Sequence, residues 1–189
     1  MTLHEQLTQE IRTGPSGPRV GAFFDLDQTL FAGFSATAFT RDQVVSGRLS
    51  PRDLLDSVRA TLSFTFGKMG FSSFVTATSA VYRGMKESVL EEAGRHAFEK
   101  YLVTEIYPES RAIVKAHQEM GHTVAIITSA TRYQAEPVAE ELGIDHLLFT
   151  RLAVEDGVLT GGVVRPNCYG DGKADAARSL TEKYDLDLE

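Results

Sequence analysis

Asp25 and Asp27 stand two residues apart, directly after the apolar run Val20-Gly21-Ala22-Phe23-Phe24 and just before Thr29-Leu30. Two carboxylates so placed can divide the labour of phosphoryl transfer, one attacking phosphorus while the other handles protons. Much further along the chain, Thr128 closes a second apolar run, Thr123 to Ile127, and its hydroxyl can donate to a phosphate oxygen. Lys173, at the start of the last helical pattern, can offset the charge on the transferring group. Phosphoryl transfer is catalysed mainly by positioning and electrostatic stabilisation, so these four side chains form one chemically coherent set.

The elements that must hold them are legible from periodicity. Short unbroken apolar runs read as strands buried on both faces: Val20 to Phe24, Thr123 to Ile127 and Leu147 to Thr150. Between the second and third runs a helix reaches Leu142-Gly143, with Pro137 either kinking it or starting its second part. Before the second run, Glu109 to Met120 forms a helix stopped by Gly121, and Lys173 to Tyr184 forms the last one. Strands alternating with helices predict a parallel sheet whose ligands gather beyond the carboxyl ends of the strands. Asp25 and Asp27 then lie at the end of a central strand, facing Thr128 and Lys173 across one cleft. Asp156-Gly157 between Leu152–Val154 and Val158–Val164 predicts an antiparallel hairpin.

Residues 34–107 contain helical patterns and no convincing strand. Ser50 followed by Pro51 is a helix start, and Leu54, Leu55, Val58 and Leu62 repeat at helical spacing after it. Phe71, Phe74, Val75, Thr78, Val81 and Tyr82 repeat that spacing, as do Val89, Leu90, Ala93, Ala97, Tyr101 and Leu102. Phe64, Phe66, Met69, Phe71 and Phe74 form an aromatic cluster in sequence, readable as the core of a small helical cap or as an apolar substrate wall. At the amino end, Leu3, Leu7 and Ile11 mark a helix, and Gly14-Pro15-Ser16-Gly17-Pro18 marks a hinge. The expected organisation is therefore an N-terminal helix and linker at 1–18, a core at 19–33 and 108–189, and a helical cap at 34–107.

Composition narrows the function classes. The 189 residues carry a formal charge of −7 with no basic cluster, which argues against nucleic acid as a partner. Cys168 is the single cysteine, so no disulfide framework or cysteine-rich zinc site exists, and a reducing, cytoplasmic setting is expected. The five histidines show no metal-ligand spacing. No apolar run approaches the roughly 20 residues of a membrane span, and the first nineteen residues have no signal-peptide character.

Phe23-Phe24-Asp25-Leu26-Asp27-Gln28-Thr29-Leu30 resembles motif I of the haloacid dehalogenase-like (HAD) phosphohydrolases. In order, Ala125-Ile126-Ile127-Thr128 is similar to motif II, and Lys173 within Gly172-Lys173-Ala174-Asp175 is similar to the motif III lysine. The resemblance covers residues 19–189, and the helical insertion after motif I resembles the type-1 cap of the phosphoserine-phosphatase-like subgroup, HAD-IB. It implies an α/β fold, a Rossmann-like parallel sheet with a helical cap after the first strand, and Mg²⁺-dependent hydrolysis of a small phosphorylated metabolite through an aspartyl-phosphate. It implies Asp25 as nucleophile and Mg²⁺ ligand. Asp27 would be the acid–base group, binding the metal through its carbonyl. Thr128 and Ser129 would hold the phosphate, and Lys173 would bridge phosphate and nucleophile.

Two departures from the family pattern carry expectations of their own. Motif IV, an apolar strand followed by an acidic pair, would begin where this sequence stops, so the chain is expected to be a fragment. Asp171 and Asp175 match the acidic string of that motif without a buried strand before it, and are read as a decoy rather than metal ligands. Phe34 occupies the position at which phosphoserine phosphatases carry a carboxylate, so a phosphomonoester less polar than phosphoserine is expected. Alternative readings are a catalytically silent domain serving a larger protein, as with HAD domains fused to glycerolipid acyltransferases, and a phosphoacceptor signalling module. Receiver domains, however, place the accepting Asp on a middle strand and have no room for the long helical insertion.

Overall fold

The computed structural model describes residues 2–187. In chain order the elements are α1 (Leu3–Thr13), β1 (Gly21–Phe24), α2 (Ser35–Val45), α3 (Pro51–Thr65), α4 (Phe71–Ser79), a 3₁₀ turn (Ala80–Tyr82) and α5 (Glu87–Tyr101). A second 3₁₀ turn (Val103–Glu105) leads to α6 (Pro108–Glu119), β2 (Thr123–Thr131), α7 (Arg132–Leu142), β3 (His146–Thr150), β4 (Leu152–Glu155), β5 (Val158–Val163) and α8 (Asp171–Tyr184). β1, β2 and β3 form a parallel sheet in that order, while β4 and β5 pair antiparallel. The hairpin turn has positive φ at both Asp156 and Gly157, as a two-residue turn matching the strand twist requires.

The first strand differs from its expected central, doubly buried place. Among the described residues β1 lies at the side of the sheet, and Phe23 is 36% exposed. On the edge away from β2, only a parallel bridge between Val20 and Asp187 forms, with the Asp187 N–H donating to the Arg19 carbonyl.

Residues 34–107 are helical, but one helix there has no apolar stripe in the sequence. α2 buries Asp42 and Gln43 beside Ala38 and Phe39, so its inward face mixes polar and apolar side chains and defeats a periodicity reading. Asp42 is almost wholly buried and satisfied by the Arg48 guanidinium at 3.2 Å and His96 Nδ1 at 2.5 Å.

The insertion is not packed uniformly. Ala38, Phe98, Leu102 and Ile106 join Leu26, Leu30, Phe31, Val124 and Ile126 in one core with the sheet. Phe39, Leu90, Ala93 and Ala97 form a second cluster with Tyr133 of α7 and Leu159 of β5. α2 and α5 are therefore built into the body of the protein, whereas α3 packs on α4, and α4 on β5. Phe66, expected within the aromatic cluster, is 72% exposed; Phe64, Phe71 and Phe74 do cluster.

Candidate active site

The loop after β1 is clamped from below. Leu26, Leu30 and Phe31 are fully buried, and the Leu30 N–H donates to the Leu26 carbonyl. The Tyr107 N–H donates to the Leu30 carbonyl, the Ala32 N–H to the Glu105 carbonyl, and Ser110 Oγ to the Thr29 carbonyl. Ala22 and Leu26 are buried while Phe23 and Asp25 are exposed, so the period-two alternation of the strand carries Asp25 outward, and Asp27 beyond it is part-buried.

Lys173 reaches Asp25 from the other end of the chain: Nζ donates to Asp25 Oδ1 at 2.7 Å, and the Leu26 N–H donates to the same oxygen at 2.8 Å. Its loop is tight. A Cβ on Gly172 would stand 2.0 Å from the Asn167 carbonyl oxygen, so only glycine allows the chain to close there before Lys173 leaves on α8.

Asp27 Oδ1 accepts the Ser35 backbone N–H at 2.7 Å, at the first turn of α2. Burial holds the Asp27 carboxyl above its ordinary range; nearby Asp25 adds to this, while Ser35 and Lys173 oppose it. Such a carboxyl keeps its proton to a higher pH than a free aspartate does.

On β2, Phe24 pairs with Ile126, and Thr128 follows two residues later, 1% exposed, with Oγ1 accepting the Ala130 N–H at 3.1 Å. Ser129 lines the same cavity as Asp27. The structure thus pairs Asp25 with Lys173 and sets Asp27 and Ser129 on one cavity wall.

Cys168 entered the sequence reading only as the single cysteine and was given no place in the site. Burial raises its thiol pKa, Asp25 adds to this, and Lys173 and the Thr128 N–H oppose it. It therefore lies among the site groups, brought there by a fold contact that no local sequence signal announces. Asp175 instead pairs with Arg178 at 2.6 Å and lines a groove against β3, and Asp171 is exposed. Neither appears on the wall that Asp27 shares with Ser129. Among the described residues no group of three or more His, Cys, Asp or Glu could hold a metal ion. Asp25 and Asp27 make a small oxygen donor set, which suits a hard cation that keeps several waters, as Mg²⁺ does.

Above Asp27 opens a cavity of about 230 Å³, bounded below by Ser129 and Ala130 and above by Phe71 and Phe74 of α4. Phe71 stacks on Tyr169 with ring centroids 4.1 Å apart and planes at 10°. Tyr169 belongs to the loop that delivers Lys173, and its carbonyl accepts the Gly172 N–H.

The strand-end carboxylates, the lysine and the parallel sheet define a hydrolase of the haloacid dehalogenase-like class, and the sequence comparison agrees. The chain belongs to the haloacid dehalogenase-like hydrolase family, whose profile matches residues 22–189. A Streptomyces azureus protein named for inhibition of morphological differentiation is 30% identical over 174 residues, covering 89% of this chain and 63% of that relative. A Mycobacterium tuberculosis protein named phosphoserine phosphatase SerB1 is 30% identical over 181 residues, covering 94% of this chain and 59% of that relative. The chain thus spans about three fifths of the length of these relatives.

Solved structures show the same Rossmann-like α/β fold. A protein of unknown function from Bordetella pertussis Tohama I superposes with a TM-score of 0.80 at 19% identity, over 92% of this chain and 78% of that one. A phosphoserine phosphatase solved as a phospho-aspartyl intermediate analogue superposes with a TM-score of 0.60 at 18% identity, over 91% and 75%. No helix among the described residues is long and apolar enough to cross a membrane.

Proposed function

We propose that this chain is the cap-bearing phosphatase unit of a HAD hydrolase, which cleaves phosphate monoesters through an aspartyl-phosphate on Asp25. The observation that carries this reading is the 2.7 Å contact between Lys173 Nζ and Asp25 Oδ1. It places a fixed positive charge against the carboxylate that would meet phosphorus, where charge develops during transfer.

In this mechanism an Asp25 carboxylate oxygen attacks phosphorus as the ester P–O bond breaks, and Asp27 gives its proton to the departing alcohol oxygen. Asp27, now a carboxylate, takes a proton from water, whose oxygen attacks phosphorus and releases phosphate with Asp25 restored. Thr128 and Ser129 hold phosphate oxygens, and Lys173 neutralises them. The Asp25 carboxylate and the Asp27 backbone carbonyl would hold Mg²⁺, which when bound supplies further charge neutralisation. Residues 34–107 act as the cap, 19–33 and 108–189 as the core, and 1–18 as an N-terminal helix and linker.

Phosphoserine is not the substrate in this reading. Phe34 is 54% exposed at the start of α2, and no Lys, Arg or His lines the cavity among the described residues, so its amino-acid portion finds no new ionic partner there. The test is hydrolysis of a phosphomonoester panel with Mg²⁺, with Asp25→Asn as the blank, and trapping of an acid-stable, hydroxylamine-labile phosphoenzyme. Asp25-independent turnover would exclude the mechanism.

A further inference from the structure

The wall of the cavity above Asp27 differs in kind from its floor. The floor carries the carboxyl group and Ser129; the wall is built from Phe39, Leu49, Phe71, Phe74, Val75 and Leu152. Asp27 is the only acidic lining residue, and no basic one is present among the described residues. Tyr82, also lining, is pushed up to about 12 by burial and stays neutral.

The wall also contains hydroxyls, but several are already engaged within the protein. Thr61 Oγ1 donates to the Ser57 carbonyl at 2.9 Å, and Thr78 Oγ1 to the Phe74 carbonyl at 3.0 Å. Ser79 Oγ donates to the Gly161 carbonyl at 3.1 Å, and Thr131 Oγ1 to Gln134 Oε1 at 2.8 Å. These four hydroxyl protons are committed, while Ser35 Oγ, on the same lining, is buried with no partner among the described residues and is left to meet a ligand oxygen. A carboxylate held in this cavity loses its water and meets no basic side chain among the described residues, a cost that an uncharged alcohol does not carry.

We propose that the site selects phosphate esters of small, uncharged alcohols, with Phe71 and Phe74 as the specificity wall for the alcohol carbon chain. The proposal rests on the phosphatase reading of the same site. Its size limit follows from the cavity of about 230 Å³, below the ~300–1,000 Å³ of pockets that take drug-sized ligands. The Phe71–Tyr169 stack braces this wall from the loop that carries Lys173.

The experiment measures binding separately from turnover. Calorimetry on the protein with Mg²⁺ compares three non-hydrolysable phosphonates of equal chain length: n-butylphosphonate, 3,4-dihydroxybutylphosphonate and 2-amino-4-phosphonobutyrate, the last being the phosphoserine analogue. The butyl compound and the diol are each expected to bind about a hundredfold tighter than the amino-acid analogue. Phe71→Ala should remove about tenfold of the butyl affinity. Thr78→Lys, which places an ammonium in the wall without opening a cavity, should raise affinity for the amino-acid analogue about tenfold and not that for the butyl compound.

If the butyl preference holds while no phosphate ester is hydrolysed, the specificity proposal stands and the phosphatase reading falls. Equal or tighter binding of the amino-acid analogue overturns the proposal, whatever the hydrolysis result. So does failure of all three to bind, or a ranking unmoved by both Phe71→Ala and Thr78→Lys.

Discussion

Gly94 of α5 meets the carbonyl of Tyr133 in α7 so closely that a Cβ built on the glycine would stand 1.8 Å from that oxygen. The carbonyl is the one that Pro137, four residues on and inside α7, cannot satisfy because it has no N–H. A glycine α-hydrogen directed at the oxygen supplies a weak Cα–H···O contact in place of the missing donor. Proline in one helix and glycine in another thus form a single packing device, and it fastens the insertion to the core.

Gly94→Ala is therefore expected to destabilise the protein by about 3 kcal/mol, at the upper end of typical overpacking costs, because the obstructing atom is backbone. Thermal unfolding of Gly94→Ala beside Ala93→Gly, which opens space instead of filling it, checks this. A melting temperature for Gly94→Ala within a degree of the parent would mean the helices separate freely.

Lys173→Ala should lower kcat/KM by about 10²- to 10³-fold, the loss typical of removing one preorganised charge partner. The Asp25 and Lys173 side chains are 47% and 28% exposed, so the pair contributes little stability of its own. The expected signature is lost turnover with a nearly unchanged melting temperature; an equal fall in both would mark the pair as structural.

The Asp25–Lys173 contact joins two residues that the sequence already set apart by chemistry, one after an apolar run and the other at a helix start. Ala22 and Leu26 are buried with Phe23 and Asp25 exposed, so strand alternation turns Asp25 outward, whereas the part-burial of Asp27 is set by the loop and the first turn of α2. Where inward faces carry polar groups, as at Asp42 and Gln43 of α2, the apolar code breaks and the helix is invisible to it. The exposure of Phe23 on β1 and the meeting of Tyr169 with Phe71 depend on tertiary neighbours, and no local spacing encodes them. Gly94 and Pro137 lie far apart in sequence, and each alone reads as a mild helix defect.

Asp27 gives a pH prediction with an unusual sign. Its folded carboxyl lies above the ordinary value of 3.8, chiefly through burial, so the folded protein holds a proton that the unfolded chain has released. Stability from this group is present at low pH and declines as pH rises from the unfolded value through the folded one. Asp27→Asn should remove that decline and make the metal-free protein more stable at neutral pH, while abolishing acid–base function. Melting temperatures of parent and variant across pH 4 to 8 check it; parallel curves would refute the assignment of burial as the cause.

Tyr169 connects the α4 side of the cavity to Lys173. Its ring stacks on Phe71 and its edge meets Phe64 at 6.1 Å, while its backbone holds the turn leading to Lys173. The ring is 48% exposed, so its removal should cost only about 0.5–1.5 kcal/mol of aromatic contact energy. The larger consequence is positional, because Lys173 must keep its 2.7 Å approach to Asp25 and loosening its loop lowers the fraction of time it does so. Tyr169→Ala is expected to reduce kcat several-fold and to speed proteolytic cleavage between residues 164 and 172, with Tyr169→Phe close to the parent in both. A Tyr169→Phe variant as impaired as Tyr169→Ala would shift the role from the stacked ring to the phenol hydroxyl.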